Sequence, residues 1–258
     1  MSSSVKESAA SAGDNPVVEN GARLGFAASG LLHLVIGWIA LHMSWGDYSG
    51  SADQSGALAY FSGTAMGMVL LWVVAGAFGL LPLWQFTETF VVHEWFDRGK
   101  HVGKGLLYAF LAYTAVTVVT GSSSGSGDTS SMTGTLMTYP YGRLAVGAVG
   151  LGIIGVGGYH VYKGWVRKFL EDLREHPGPW VVHAGRFGYV AKGIALVIVG
   201  GLFVAAAATA DPEKAEGLDG ALQSLTTVPY GKALLVVIAI GLFAYGVYSF
   251  GRAKYAKV

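Results

Sequence analysis

The sequence predicts an all-α polytopic membrane protein, with six transmembrane helices arranged as three parallel two-helix repeats around a pseudo-threefold axis. Three observations predict it. Of the 258 residues, 52% are hydrophobic and only 13% charged, and the mean hydropathy of +0.48 is high for a soluble domain. Six apolar segments approach the ~20 residues that cross about 30 Å of hydrocarbon at about 1.5 Å per helical residue. Finally, an Arg followed after seven residues by a Gly that opens an apolar run occurs three times: RLGFAASG (23–30), RGKHVGKG (98–105) and RFGYVAKG (186–193).

Residues 1–21 are Ser- and Ala-rich, carry Lys6, Glu7, Asp14 and Glu19, and have no apolar centre like that of a cleaved leader, so a disordered cytoplasmic tail is expected. Repeat 1 (22–96) holds spans Leu24–Met43 and Met66–Thr87. Repeat 2 (97–184) holds Lys104–Thr120 and Arg143–Tyr162. Its long connection RKFLEDLREHPGPW (167–180) sets Phe169, Leu170 and Leu173 among charges, predicting an amphipathic extension on the inner membrane surface that Pro177 ends. Repeat 3 (185–258) holds Tyr189–Ala208 and Lys232–Phe250. The outer loop GSSSGSGDTSSMTG (121–134) is expected to be flexible by composition. Strands are excluded, because their backbone groups would stay unpaired in lipid.

Lys and Arg bias sets the orientation. With the N-terminal tail inside, only Arg143, Lys214 and Lys232 of the 17 basic residues fall outside, which predicts a multi-pass plasma-membrane protein with both termini cytoplasmic. The absence of cysteine excludes disulfides, thiolate metal sites and cysteine nucleophiles. A net charge of +1 gives no basic face for nucleic acid. The expected partners are membrane lipid and a membrane-protein partner or second copy.

The second spans repeat as well. GMVLLWVVAGAFGLLPLW from Gly67, GRLAVGAVGLGIIGVGGY from Gly142 and GKALLVVIAIGLFAYGVY from Gly231 align without gaps, with small residues Ala77, Gly152 and Gly241 in register. Ahead of them lie SGALAYF (55–61), TGTLMTY (133–139) and DGALQSL (219–225), the last two running into Pro-Tyr-Gly. Ser, Thr or Asp at the start of each predicts an N-cap and a short outer amphipathic helix. On the repeat, the Arg and Gly phrase and the Gly-Ala-Leu segment with Pro-Tyr-Gly, the chain resembles the family catalogued as domain of unknown function 1206, bacterial membrane proteins built from tandem two-helix units. Copy two departs at Lys100, and copy one has Ala65-Met66-Gly67 in place of Pro-Tyr-Gly. The resemblance implies fold and membrane location; it implies no catalytic residue, cofactor or substrate.

Close helix approach in lipid needs small side chains. Ala145, Ala148, Gly152 and Gly155 share one face of the fourth span, and with Ala77 and Gly241 they are the expected packing positions. His33 lies ten residues past Arg23, where the other copies have Tyr108 and Leu196. An ionisable group at that depth is a functional candidate; the other reading is a neutral histidine in one interhelical hydrogen bond. Lys192 aligns with Ser29 and Lys104. It either snorkels to the headgroups or joins Lys104, Arg23, Arg98 and Arg186 in a basic ring or inner vestibule for an anion. HEWFDRGKH (93–101) lacks the HExxH spacing of a zinc helix and reads as a solvated loop. No nucleophile elbow, phosphate loop or metal motif appears, so no enzyme activity is expected. Two functions remain open: a small channel or carrier for an ion or small solute, and an accessory or scaffold subunit of a larger membrane complex.

Overall fold

The computed structural model describes residues 16–46, 51–53, 56–57 and 126–256. The described elements are all helical: α1 (Pro16–Trp45), α2 (Ser126–Met137), α3 (Gly142–Trp165), a 3₁₀ segment (Lys168–Asp172), α4 (Pro179–Thr209), a short 3₁₀ turn (Pro212–Lys214), α5 (Leu218–Thr227) and α6 (Gly231–Tyr255). Within these, α1 from Arg23, α3, α4 and α6 are long and apolar enough to cross a membrane. The chain is therefore a multi-pass membrane protein. The expected second and third spans, with Ala77, Arg98, Lys104 and the segment 93–101, lie outside the described residues.

The chain divides into two compact units, 1–52 with 129–258, and 53–128. In the second unit, Asp53 starts a helical turn: its carboxylate accepts from the Gly56 N–H at 2.8 Å, and its carbonyl accepts from the Ala57 N–H. The first unit contains the bundle. Two antiparallel helix pairs in it are built alike. A Cβ placed on Gly193 of α4 would lie 2.6 Å from the Gly157 carbonyl oxygen of α3, and one on Gly200 would lie 2.6 Å from that of Gly150. Between α6 and α1, a Cβ on Gly246 would lie 2.7 Å from the Gly30 oxygen, and one on Gly37 would lie 2.8 Å from the Ala239 oxygen. Shifting α3 by 89 residues and α4 back by 163 turns the first set of pairs into the second. The junction of repeats two and three is thus repeated between repeats three and one. Seven residues return to nearly the same helix face, so paired small residues at that spacing let the two backbones touch.

This geometry corrects the expected packing face. Ala145, Ala148, Gly152 and Gly155 are exposed, and among the described residues no heavy atom lies within 4 Å of a Cβ built on Gly152 or Gly155. The buried line of α3 is Val146, Gly150, Gly157 and Gly164. Gly241 does lie in a close crossing, against Ala191 within the third hairpin.

Four local expectations also change. Helix α1 begins at Pro16, inside the expected tail. The flexible outer loop is helical from Ser126, with Thr133 buried and Gly134 against Pro212, so packing overrides a poor helical composition. Asp219 is not an N-cap; that position is Gly217. The Asp219 carboxylate is buried and accepts from the Ala52 N–H at 2.6 Å and from Gln223 at 2.8 Å, tying the chain after α1 to α5. Finally, the connection after α3 does not lie on the membrane as an amphipathic helix. Arg167 takes a left-handed φ of 59° and turns the chain back. Leu173 then bridges Ala256, and the Arg174 N–H donates to the Tyr255 carbonyl at 2.7 Å. The apolar residues of this strap are covered by the bundle, with Phe169 fully buried.

Pro-Tyr-Gly starts α3 and α6 in the same way. Tyr141 and Tyr230 are left-handed, at φ 66° and 61°, and both are exposed. The next residue must be glycine, since a Cβ on Gly142 or Gly231 would overlap the carbonyl of Leu136 or Leu225.

Candidate functional site

Polar and aromatic side chains gather in the half of the bundle nearer Arg23, Arg186 and Tyr255. Helical spacing sets who meets whom: Tyr245, Tyr248 and Arg252 share a face of α6, Tyr189 and Lys192 a face of α4, and His160 and Lys163 a face of α3. Phe169 from the strap stacks on Tyr189 (5.4 Å between ring centres) and meets Tyr248 edge-on at 5.0 Å. The Tyr248 hydroxyl reaches the Phe169 carbonyl at 3.4 Å. A side chain on Gly185 would displace this ring, because its Cβ would sit 2.7 Å from Phe169 Cε2. Tyr189 in turn packs on Tyr245 at 5.2 Å.

At the deep end of this aromatic chain, the buried His33 imidazole lies 4.6 Å from the Tyr245 ring. His33 Nδ1 is 2.7 Å from the Ser29 carbonyl oxygen. A carbonyl only accepts, so Nδ1 carries the proton and Nε2 offers a lone pair, a tautomer assigned from the hydrogen-bond network. Lys192 Nζ lies 3.1 Å from Nε2 and donates to it, while sitting 4.2 Å from the centre of the Tyr245 ring. The imidazole is thus the acceptor for a half-buried ammonium, contributed by a different repeat.

The repeat alignment hides this meeting, since it pairs His33 with Leu196 and Lys192 with Ser29. The stagger within the third hairpin brings the two residues together. Gly188 packs on the Tyr245 backbone, next to Gly246, which packs on Gly30. Gly188 and Gly30 therefore share a level, and so do Lys192 and Leu34, one residue beyond His33. Helix side chains slope toward the N-terminal end, which carries the ammonium back to the imidazole. The depth estimate from repeat numbering missed this because it assumed all helices to be in one register.

The charges around the cluster are unequal. Lys163 pairs with Asp172 of the strap at 2.6 Å and lies 5.6 Å from the Tyr189 ring centre. Among the described residues Lys192 has no carboxylate in salt-bridge range. Arg252 lies 4.1 Å from the Phe26 ring centre, and its Nε is buried with no acceptor among the described residues. Its guanidinium is near enough to Tyr189, Tyr245 and Tyr248 to act on all three electrostatically.

The described arginines of the repeated phrase are engaged at the junctions. Arg23 Nη1 donates to the Lys254 carbonyl at 2.7 Å and to that of Ala253 at 3.2 Å, placing a cation on the carbonyl end of α6. Arg186 lies 5.1 Å from the Trp165 ring centre at the matching end of α3. On the opposite side of the bundle, Arg143 does the same to α4, with Nε and Nη2 both on the Ala207 carbonyl at 3.1 and 2.9 Å.

Comparison with known proteins agrees with this repeat structure. The Domain of Unknown Function (DUF1206) family matches three times, over residues 24–91, 99–167 and 187–256, each match opening one residue after the Arg of the phrase. The chain is similar to "Uncharacterized protein YxxB" of Bacillus subtilis (strain 168), 27% identical over 255 residues that cover 93% of this chain and 92% of that protein. No solved structure matches the chain. With three matches that take in most of its length, the chain belongs to the Domain of Unknown Function (DUF1206) family.

Proposed function

We propose that the protein is a small channel or carrier for an ion or small solute in the plasma membrane, with six spans in three pseudo-threefold repeats and both termini cytoplasmic. The repeated junction supports the arrangement: a geometry that recurs between repeats two and three and between three and one is the kind that closes a ring. The observation that carries the function is the Lys192–His33–Tyr245 cluster. A cation held inside a bundle costs free energy to desolvate, and a scaffold could replace it with leucine. The histidine that accepts from it occurs in only one of the three aligned positions, His33 against Tyr108 and Leu196, as a solute site on a symmetric frame requires.

Flux through liposomes containing the purified protein tests this reading. Wild type should release trapped charged solutes faster than empty liposomes, and Lys192→Met should abolish the release while still melting cooperatively. Release no faster than from empty liposomes, for anions and cations alike, would count against transport.

One observation favours the accessory role. The small-residue face of α3, including Ala148, Gly152 and Gly155, is exposed and could admit another helix closely. A stoichiometric protein retained through purification in mild detergent, and lost on Gly152→Leu, would support that reading.

A further inference from the structure

We infer that the cluster binds an oxyanion, a carboxylate or phosphate group, held by Lys192 and Arg252 beneath the Phe169 strap. This rests on the reading of the cluster as a solute site and names the class of solute. The argument is one of charge and donors. Lys163, Lys192 and Arg252 supply three positive charges around the tyrosines, and the described carboxylate among them, Asp172, is committed to Lys163 at 2.6 Å. His33 cannot balance Lys192, because its Nδ1 proton is held by the Ser29 carbonyl and it contributes only a neutral lone pair.

On the two cations the unused groups are donors. Lys192 has three N–H bonds, of which one goes to His33 and another serves the Tyr245 hydroxyl, leaving one. Arg252 has a buried Nε–H with no acceptor among the described residues, and a guanidinium offers its N–H groups in a fork that matches two oxygens. A cation would be repelled here, and a neutral solute would leave the charge uncompensated in a low-dielectric setting. A carboxylate or phosphate oxygen satisfies both the donors and the charge. The aromatic surfaces of Tyr245 and Phe26 lie beside the two cations and suit an apolar substituent on the anion. The strap supplies the cover, since Phe169 is fully buried against Tyr189 and Tyr248.

The test uses the full chain in phosphatidylcholine nanodiscs, melted with sodium benzoate or inorganic phosphate at constant ionic strength set with chloride. Either probe should raise the wild-type melting temperature, and the rise should vanish in Lys192→Met and in Arg252→Met. Lys214→Met, at an exposed position, should respond like wild type. Lys192→Arg, which keeps charge and donors, should keep a response and serves if the methionine variant does not fold. A parallel series in discs containing phosphatidylglycerol separates the two sources of the group. Stabilisation there alone, lost in the same variants, assigns the oxyanion to a lipid headgroup. No shift of the wild type by any of the three, or equal shifts in wild type and both methionine variants, overturns the site. Flux measured with the same purified proteins in liposomes keeps the two ideas apart: binding without flux removes transport and leaves the oxyanion site standing.

Discussion

The glycine junctions lead to a graded expectation for three alanine substitutions. A Cβ at Gly193 would stand 2.6 Å from the Gly157 carbonyl oxygen and 2.7 Å from the Val161 backbone nitrogen. Both obstacles are backbone, so relief requires the two helices to part by roughly 0.5–1 Å along the contact, with loss of dispersion on either side. Overpacking of this kind costs about 1–3 kcal/mol, against a gain of at most about 1 kcal/mol from replacing Gly by Ala inside a helix. Gly193→Ala should therefore lose about 1–2 kcal/mol. At Gly30 the nearest atoms are 3.0 Å away, one of them the mobile edge of the Phe250 ring, so Gly30→Ala should lie near zero or slightly below. At Gly152 no atom of the described residues lies within 4 Å, and the helix preference acts alone, giving a gain of up to about 1 kcal/mol. Melting of the purified variants in one detergent should rank Gly152→Ala first, then Gly30→Ala, then Gly193→Ala. A Gly193→Ala protein that melts at or above wild type would refute the close backbone contact as a source of stability.

Other expectations follow from the same structure. Phe169→Ala should cost about 3 kcal/mol or more, as for other fully buried phenylalanines, and should speed protease cleavage between Arg167 and Arg174; unchanged melting and cleavage would mean the strap is not part of the core. Arg23→Met removes two hydrogen bonds from a charged donor to the end of α6 and should lose about 1–3 kcal/mol, whereas Arg186→Lys, exchanging a guanidinium on Trp165 for an ammonium, should lose at most about 1 kcal/mol. Equal melting of the two would show that the hydrogen bonds to α6 carry no extra stability. For topology, cysteines at the exposed Glu213 and Lys254 should differ in labelling by an impermeant thiol reagent on intact cells: Glu213→Cys reacts and Lys254→Cys does not. The reverse pattern would invert the orientation. Ser249 is unsuitable as a reporter, being buried with its hydroxyl on the Tyr245 carbonyl at 2.9 Å.

Much of the fold was legible because apolar length and repetition are strong signals. The starts of α3 and α6 at Gly142 and Gly231 follow from Pro-Tyr-Gly, and the third hairpin from the phrase at Arg186. The packing face of α3 was not legible from α3 itself. Small residues occur all round that helix, including Gly147, Gly150, Gly152, Gly155, Gly157 and Gly158, so spacing alone cannot choose a face. The partner helices held the missing signal: Gly30 and Gly37 in α1 stand seven apart, as do Gly193 and Gly200 in α4, and of the α3 glycines the matching set is Gly150, Gly157 and Gly164. The strap was misplaced for a different reason. Phe169, Leu170 and Leu173 among charges suit a membrane surface and a bundle surface equally well, and the left-handed turn at Arg167 has no signature in an arginine. For the site, residue type singled out His33 and Lys192 but not their contact, which depends on a stagger between α4 and α6 that composition does not encode.

That stagger bears on how a repeated chain makes an unrepeated site. The glycine junctions demand near-identical backbone geometry at each interface, so little can vary there without loss of contact. Side chains that pack beside the glycines are freer to change, and there the copies diverge: His33 stands against Tyr108 and Leu196, and Lys192 against Ser29 and Lys104. Neither substitution alone would be stable in an apolar interior, since an imidazole needs a donor for its lone pair and an ammonium needs an acceptor. Together they satisfy one another, with Ser29, the repeat counterpart of Lys192, taking the remaining imidazole proton on its carbonyl. Removing one member should therefore cost more than removing both. His33→Leu strands the ammonium and should destabilise more than the double variant His33→Leu with Lys192→Met, which returns the position to an apolar contact. Strict additivity of the two changes in a melting series would show that the 3.1 Å approach carries no coupling, and the cluster would then lose its claim to be a single site.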